Sequence, residues 1–484
     1  MSGRPPFRSE SPGPRGNAGP SARWLAFLAI QSFAQRGSFV SKALDDLFTE
    51  FPTLPRDRHL ATELASETVR RGLTLDSILA QYVTRPREKV EDELWMLLQL
   101  GACQLICLSH IPAHAAVHET VSLCDRLYKP RAKGFINGTL RSIERELNHQ
   151  TTSDNQPLEL KDLGPDLLPI FAIRGNAAGL RIVKLARRVF ADPKELPLDY
   201  IAQVASLPVW LLQHWAKEET DLNRLLARAL WFTTPGKMSL RVNLQRTTRE
   251  AVLDLLRDAD VAAQPGQLPV AIALNGSLAP GEFPAFHDGG FSVQDESAIA
   301  AVALLDPQPG ESILDLCAAP GGKTCHIAER LQGTGRVIAC DLSNTRLRPI
   351  RENITRLQLS NIDTLLISEE GRGLPDGPFD AALVDVPCSN TGVLGKRPEA
   401  RWRITPATFA DLIPLQRRLL NDALDRVKSG GRVLYSTCSI DRSENEDLVN
   451  EVITARNDVQ LKTAQRHEPG SPGDGGYQAL LLKS

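Results

Sequence analysis

The spacing of apolar and polar positions divides the chain into two textures. From Ala22 to about Asn148 apolar residues recur at helical intervals, as in Leu94, Leu97, Leu98, Leu100, Leu105 and Ile106, with only short Gly/Pro breaks. This pattern predicts an all-helical domain. Beyond Phe291 helix-like and strand-like runs alternate. The spacing predicts a helix from Glu296 to Leu305, a strand from Ser312 to Leu316, a helix from Thr324 to Leu331, a strand from Arg336 to Ala339 and a helix from Arg346 to Leu357. A strand from Ala381 to Val384, a helix from Pro414 to Val427 and a strand from Arg432 to Tyr435 follow. Strands alternating with helices imply βαβ units and a parallel sheet covered on both faces. In such sheets ligands sit beyond the carboxyl ends of the strands.

Between these regions the pattern is weaker. Residues 166 to 235 read as helical, with Leu211, Leu212 and Trp215 on one side of a segment that starts after Pro208. Ser239-Leu240-Arg241-Val242-Asn243, a helical run from Thr248 to Asp258 and a strand-like run from Pro269 to Leu274 predict a small α+β unit. Residues 1 to 20 hold five prolines and four glycines and almost no large apolar side chains, which predicts a disordered tail. Residues 151 to 157 form a polar, turn-prone linker. The expected organisation is therefore a tail over 1–21, a helical domain over 22–148, a linker and helical segment over 149–236, the α+β unit over 237–290 and an α/β domain over 291–484.

A length of 484 residues suits about three globular units at ~150 residues each. The formal net charge of −2 excludes a wholesale polycation, so any nucleic-acid contact must be a local patch. Hydrophobic content of 42% with 24% charged residues is that of an ordinary soluble protein, and no apolar run approaches the ~20 residues of a membrane span. Eight cysteines without a CxxC pair suit a reducing cytoplasm better than a disulfide framework. Trp24 to Ile30, after Arg23, reads as the first turns of a core helix rather than as an export signal.

The polar motifs lie just after predicted strands. Leu314-Asp315-Leu316-Cys317-Ala318-Ala319-Pro320-Gly321-Gly322-Lys323-Thr324 is a strand, a small-residue turn and a helix start, where backbone can approach a ligand and free N–H groups are available. Gly322-Lys323-Thr324 mimics the second half of a triphosphate-binding loop, but Cys317 stands where its first glycine is required. Asp341 ends the next strand 20 residues beyond Gly321, the distance at which an acidic group accepts hydrogen bonds from a ribose diol. Glu370 follows another apolar run; contact with an adenine and a solvated turn are equally good readings of it. A nicotinamide cofactor fits the spacing, but GxGxxG is absent. Cys388, after Phe379 to Pro387, and Cys438, after Val433 to Thr437, are two thiols at the ligand edge of the sheet, better placed for chemistry than for filling a core.

These segments resemble the catalytic domain of the RNA cytosine-5 methyltransferases. Cys317 to Thr324, Asp385-Val386-Pro387-Cys388 and Ser436-Thr437-Cys438-Ser439 carry the likeness, and Gln294-Asp295, Arg397-Pro398 and Trp402 have counterparts there. The first ~130 residues resemble the NusB fold in Ile111-Pro112-Ala113-His114-Ala115-Ala116-Val117 and Gly134-Phe135-Ile136-Asn137. Together the halves are similar to the bacterial members that act on 16S ribosomal RNA. The implied fold is an all-α NusB-like N-terminal domain plus an α/β Rossmann-like methyltransferase domain, with the small α+β unit before it.

The resemblance implies S-adenosylmethionine as cofactor, held by Cys317, Ala318, Ala319, Pro320, Gly321, Gly322, Lys323, Asp341, Glu370 and Asp385, although Glu370 departs from the aspartate expected at its position. It implies Cys438 as the nucleophile that attacks cytosine C6, Cys388 as the group assisting proton removal and release, and Asp385 on the cytosine edge. The reverse assignment of the thiols stays open, because DNA cytosine-5 methyltransferases use the cysteine of a Pro-Cys motif. The expected partner is 16S rRNA or its assembly intermediate, with no DNA, no membrane and a monomeric chain. A transfer-RNA methyltransferase and a noncatalytic RNA-binding or antitermination factor are the alternatives. RNA-facing candidates are Lys396, Arg397, Arg401 and Arg403, then Arg126, Lys129, Arg131, Lys133, Arg141 and Arg145, with Lys237, Arg241 and Arg246 extending the path. Cys103, Cys107, His110, His114 and His118 recur at helical spacing but read as core and turn residues rather than zinc ligands, and no metal is expected.

Overall fold

The computed structural model describes residues 19–151, 158–174, 177–276, 278–470 and 473–484, so most of the expected tail and the expected linker beyond Thr151 lie outside the described residues. Two compact units result: one runs through Val69 and takes in Tyr82–Arg145, the other takes Arg70–Gln81 and Glu146–Ser484.

The first unit is all-helical, built on helices Ala22–Arg36, Val40–Glu50, Asp92–Ile106, Ala113–Arg126 and Lys133–Glu146, with most of Pro55–Arg70. Twelve of the fifteen residues of Asp92–Ile106 are buried, as befits a helix apolar on every side and enclosed by its neighbours. Gly101 lets Lys133–Glu146 come close, because a Cβ there would collide with Leu140. Ser21 caps Ala22–Arg36 by accepting from Trp24 N, and Leu25, Ala26 and Phe27 are fully buried, which makes this segment a core helix.

The stretch expected to be helical over 149–236 departs from that reading. Leu147–Thr151, Leu167–Arg174 and Ala177–Leu185 form a three-stranded antiparallel sheet, and helices begin only with Pro197–Ala205, Val209–Trp215 and Leu222–Trp231. Leu168 and Val183 face each other and are buried, and so are Pro169, Ile170, Ile182 and Leu185, so burial is nearly continuous here and hydrophobicity alone does not separate strand from helix. The α+β unit is as expected in kind, with Ser239–Val242 paired antiparallel to both Ala271–Leu274 and Phe291–Val293, and helix Arg249–Asp258 packed on that sheet through Val252 and Leu256.

The C-terminal sheet has seven strands: β1 (Ser312–Leu316), β2 (Arg336–Asp341), β3 (Ile362–Leu366), β4 (Phe379–Asp385), β5 (Val427–Thr437), β6 (Val459–His467) and β7 (Gly476–Lys483), in the order β3-β2-β1-β4-β5-β7-β6. β1 to β5 are parallel, and β7 runs antiparallel to both its neighbours. Alternate residues face opposite layers. Ile313, Leu383 and Leu434 pack with helices Glu296–Leu305 and Gly322–Arg330; Leu314, Val384, Val433 and Tyr435 pack with Pro406–Arg426 and Glu446–Ala455. The helix expected to start at Pro414 starts at Pro406, where Thr405 and Thr408 form a reciprocal cap, and it continues through Pro414.

Candidate active site

Register in the middle of the sheet brings the two thiols together. Asp385 at the end of β4 pairs with Ser436 near the end of β5, so chain leaving the two strands side by side carries Cys388 and Cys438. Their sulfurs are 3.0 Å apart. Cys438 Sγ also lies 3.3 Å from Asn390 Oδ1, which accepts from Arg397 as well. Gly392 N donates to Cys438 O, and Gly392 must be glycine because a Cβ would collide with the Gly475 carbonyl.

These loops border a cavity of about 670 Å³ whose lining includes Asp315, Cys317, Lys323, Asp385, Cys438 and Asp474. Lys323 Nζ lies 2.7 Å from Asp385 Oδ2, and Ser436 Oγ donates to Asp385 Oδ1 at 2.9 Å. Burial alone would pull the Lys323 ammonium down, but the charge and hydrogen bond of Asp385 hold it above its ordinary value. On the far wall Lys396 bridges Asp295 at 2.5 Å and Asp474 at 2.9 Å. Burial, with the Asp295 charge beside it, pushes the Asp474 carboxyl up to about 7 despite Lys396. Asp315 is also pushed up to about 7, chiefly by burial, although Thr324 donates to its Oδ2 at 2.5 Å.

The cavity suits a small ligand rich in hydrogen-bonding groups. Asp315 Oδ1, Gln478 Oε1 and Gln294 Nε2 are buried without a partner among the described residues, and all three side chains belong to the lining. The carboxylates of Asp295, Asp315, Asp385 and Asp474 on that lining stand among the cations Lys237, Lys323, Lys396 and Arg397, so the cavity offers charge of both signs.

The expected site residues fall into two groups. Cys317, Ala318, Ala319, Pro320, Gly322, Lys323, Asp385 and Cys438 line the cavity; Gly321, Asp341, Glu370 and Cys388 are outside its lining. Gly321 has φ +96°, and a Cβ there would lie 3.1 Å from the Ile350 backbone, so its glycine serves close packing behind the turn. Asp341 is buried, accepting from Ala319 N at 3.0 Å and from Arg346 Nε at 2.5 Å, so it braces the turn from below. Glu370 is exposed and bonds Arg372. Cys388 is 8% exposed and sits behind Cys438. The motifs alone did not single out Asp315, Asn390 or Asp474, although a lone acid inside the apolar run Leu314-Asp315-Leu316 is itself the mark of a buried functional carboxylate.

Several expected RNA-facing cations are engaged elsewhere. Arg401 is fully buried and donates to the carbonyls of Arg70, Ala205, Ser206, Phe232 and Leu394, which makes it a structural clamp. Arg241 is 1% exposed and pairs with Gln294 and Glu329. Both lie in interior segments whose charge the linear pattern cannot distinguish from a surface run. In the helical unit Lys129 pairs with Glu91 and Glu93, Lys133 with Asp125 and Arg141 with Glu144. Lys237, Lys396 and Arg397 do line the cavity. Cys103 is buried in its helix and His110 pairs with Glu63. All eight cysteines are free, and among the described residues no helix is long and apolar enough to cross a membrane.

Comparison with known families agrees with this arrangement. The family described as 16S rRNA methyltransferase RsmB/F matches residues 302–479, the NusB family matches 20–145, and the Methyltr_RsmF/B-like, ferredoxin-like domain matches 207–279. The fold resembles that of NSun6 from Pyrococcus horikoshii, solved with SFG, at TM-score 0.52 and 22% identity over 57% of this chain and 98% of that one. The chain thus pairs a NusB-type helical domain with a Rossmann-like methyltransferase domain. A probable ribosomal RNA small subunit methyltransferase B of Synechocystis is 34% identical over 90% of both chains. The ribosomal RNA small subunit methyltransferase B of Serratia proteamaculans is 32% identical over 95% of this chain and 98% of its own. The chain belongs to the RsmB/F family of 16S rRNA methyltransferases.

Proposed function

We propose that the chain methylates C5 of a cytosine in 16S ribosomal RNA with S-adenosylmethionine as donor, through a transient bond between Cys438 and C6 of the base. The observation that carries this reading is a pair of thiols 3.0 Å apart beside a lysine–aspartate pair, at the carboxyl edge of a methyltransferase sheet. Cytosine C5 is a poor nucleophile. A thiolate that adds its electron pair to C6 converts the ring to an enamine, and C5 can then take an electrophilic carbon. Loss of the C5 proton returns electrons to the ring and expels the sulfur. When bound, S-adenosylmethionine supplies the electrophilic methyl group.

Cys438 is the nucleophile because it lines the cavity, whereas Cys388 stands behind it. Cys388 would assist release of the product, donating a hydrogen bond to the departing Cys438 sulfur while the C5 proton passes to water. Asp385 would hold the N3 and amino edge of the base, with Lys323 keeping its carboxylate fixed. The turn Cys317 to Lys323, with Asp315, would hold the cofactor. Lys237, Lys396 and Arg397 would steer RNA to the opening, a flipped base being needed for access. The reading includes 16S rRNA or an assembly intermediate as substrate, no DNA, and a monomer. The test is trapping with 5-fluorocytosine RNA, whose C5 fluorine cannot leave as a proton. A covalent complex that forms with wild type and is lost in Cys438→Ala is expected; one that survives Cys438→Ala but is lost in Cys388→Ala reverses the two roles.

A further inference from the structure

Behind the two thiols lies a carboxylate that the reaction scheme above leaves without a part. Glu444 is fully buried, and among the described residues no lysine, arginine or histidine pairs with it. A buried charge without a counter-ion is costly and persists only where hydrogen bonds hold it. Those bonds go to the cysteine loops. Glu444 Oε1 accepts from Ser389 N at 2.9 Å and from Gln416 Nε2 at 2.8 Å, and Oε2 accepts from Ser389 Oγ at 2.5 Å. Gln416 Nε2 also donates to Pro387 O, so both residues flanking Cys388 are tied to this one group.

The tie extends to the second thiol. Ser389 Oγ lies 3.2 Å from Ser439 Oγ, and Thr391 Oγ1 lies 2.9 Å from the same hydroxyl. Asn445, next to Glu444, donates to Ser439 O and accepts from Thr437, so the residues on both sides of Cys438 are held by the adjoining turn. Tyr435 OH fixes that turn by donating to Glu444 O.

We propose that Glu444 is a positioning residue for methyl transfer, fixing the two thiols against one another through the loops that carry them. The proposal rests on the roles given above to Cys438 and Cys388. The charged or titratable groups facing Cys388 are Cys438, Glu444 and Tyr435. The hydrogen bond with Cys438, burial and the charges of Cys438 and Glu444 together hold the Cys388 thiol well above its ordinary value, so it keeps its proton at neutral pH. Lys323, in contrast, interacts electrostatically with Cys438, which helps the lysine keep its own proton. A protonated Cys388 is then a hydrogen-bond donor to the Cys438 sulfur as the C6–S bond breaks and the electron pair returns to sulfur. Its part is to ease departure of that sulfur.

The test uses the full chain and a 16S rRNA transcript. Glu444→Gln keeps the size of the side chain and an acceptor for Ser389 but removes the charge. Expected is a fall in kcat of about tenfold to a hundredfold with KM little changed. Covalent protein–RNA complex should build up on ordinary cytosine RNA, because attack still occurs and release is slowed. The alkaline limb of kcat should also move to lower pH, since Cys388 loses its proton sooner without the Glu444 charge. A merely structural role would lower complex formation and leave the limb in place. Ser389→Ala, which retains the buried charge but cuts the tie, should slow kcat without moving the limb, and it serves if Glu444→Gln does not fold. Wild-type kcat, complex level and limb position in Glu444→Gln would overturn the proposal, as would unchanged turnover in Ser389→Ala. If wild type itself forms no complex at Cys438 with 5-fluorocytosine RNA, the assignment of the thiols has failed, independently of the Glu444 result.

Discussion

Replacing Arg401 by methionine separates a structural cation from an RNA-binding one. Arg401 Nη1 donates to the carbonyls of Arg70 at 2.9 Å, Ala205 at 3.2 Å and Ser206 at 3.1 Å, and Nη2 to those of Phe232 at 2.7 Å and Leu394 at 2.8 Å. Helices Pro197–Ala205 and Leu222–Trp231 both end on this guanidinium, which meets carbonyls that have no further helical turn to bond and the negative ends of two helix dipoles. Methionine fills much of the volume but leaves the five acceptors unmet. An unmet buried acceptor costs roughly 1–3 kcal/mol, and because the segments can relax, removal of one side of a buried charged network totals about 3–5 kcal/mol. At about 2–4 °C per kcal/mol for a large domain, the melting temperature should fall by about 6–20 °C. Urea unfolding followed by tryptophan fluorescence measures the first quantity, and RNA binding across a salt series measures a second. Loss of a phosphate contact lowers the slope of log affinity against log salt by about 0.7–0.9, whereas loss of a structural clamp leaves the slope alone. A variant as stable as wild type whose salt slope drops by one contact would refute the clamp and return Arg401 to the RNA surface.

Two further outcomes follow from the cavity. Asp385→Asn should lower kcat/KM by about 10²–10³, the usual cost of removing one preorganised electrostatic group. Lys323, held above its ordinary value by that carboxylate, should lose its proton at lower pH without it, so the alkaline limb of activity moves to lower pH; methyl transfer from labelled donor between pH 6 and 10 checks this, and a uniform loss at every pH contradicts it. Asp315, pushed up to about 7 by burial, is mostly uncharged at pH 6 and mostly ionised at pH 8, so affinity for the cationic donor should rise over that range. The rise should be at most about tenfold, the change in ionised fraction across two pH units around the midpoint. Calorimetry of donor binding should find Asp315→Asn climbing less steeply than wild type, any remaining climb belonging to Asp474, and equal slopes in the two proteins would dismiss Asp315 as a cofactor contact.

The alternating half of the chain was legible because each of its strands is a short apolar run closed by a polar motif. The strand expected from Ser312 to Leu316 and the helix from Glu296 to Leu305 match the structure, and those runs carry Asp315, Lys323, Asp385 and both thiols to the sheet edge. Strands with mixed faces were harder to read. β3 is half-exposed, and the apolar run before Glu370 with which it ends carries no alternation that marks a strand; β6 shows mostly polar residues to solvent and is not marked by hydrophobicity. Strands Leu167–Arg174 and Ala177–Leu185 fall where the pattern predicts helix over 166–235, although Gly175-Asn176 between them in the sequence is a dipeptide typical of hairpins. Charge was the least legible property. A linear count places Arg401 beside Arg397 and Arg403 as equals, yet one turn of helix Ala400–Arg403 buries Arg401, while Arg403 next to it is exposed.

What could not be read from spacing is how an overall near-neutral chain concentrates function at one edge. Motif spacing places Cys388 and Cys438 50 residues apart, and only the β4–β5 register makes them neighbours. Asn390, in a left-handed conformation at φ +63°, then converts that neighbourhood into a connection with the outside. Its Nδ2 donates to Cys388 O at 2.8 Å, while its Oδ1 accepts from Arg397 at 2.9 Å and lies 3.3 Å from Cys438 Sγ. One short side chain thus joins both cysteines to a cation on the lining of the cavity.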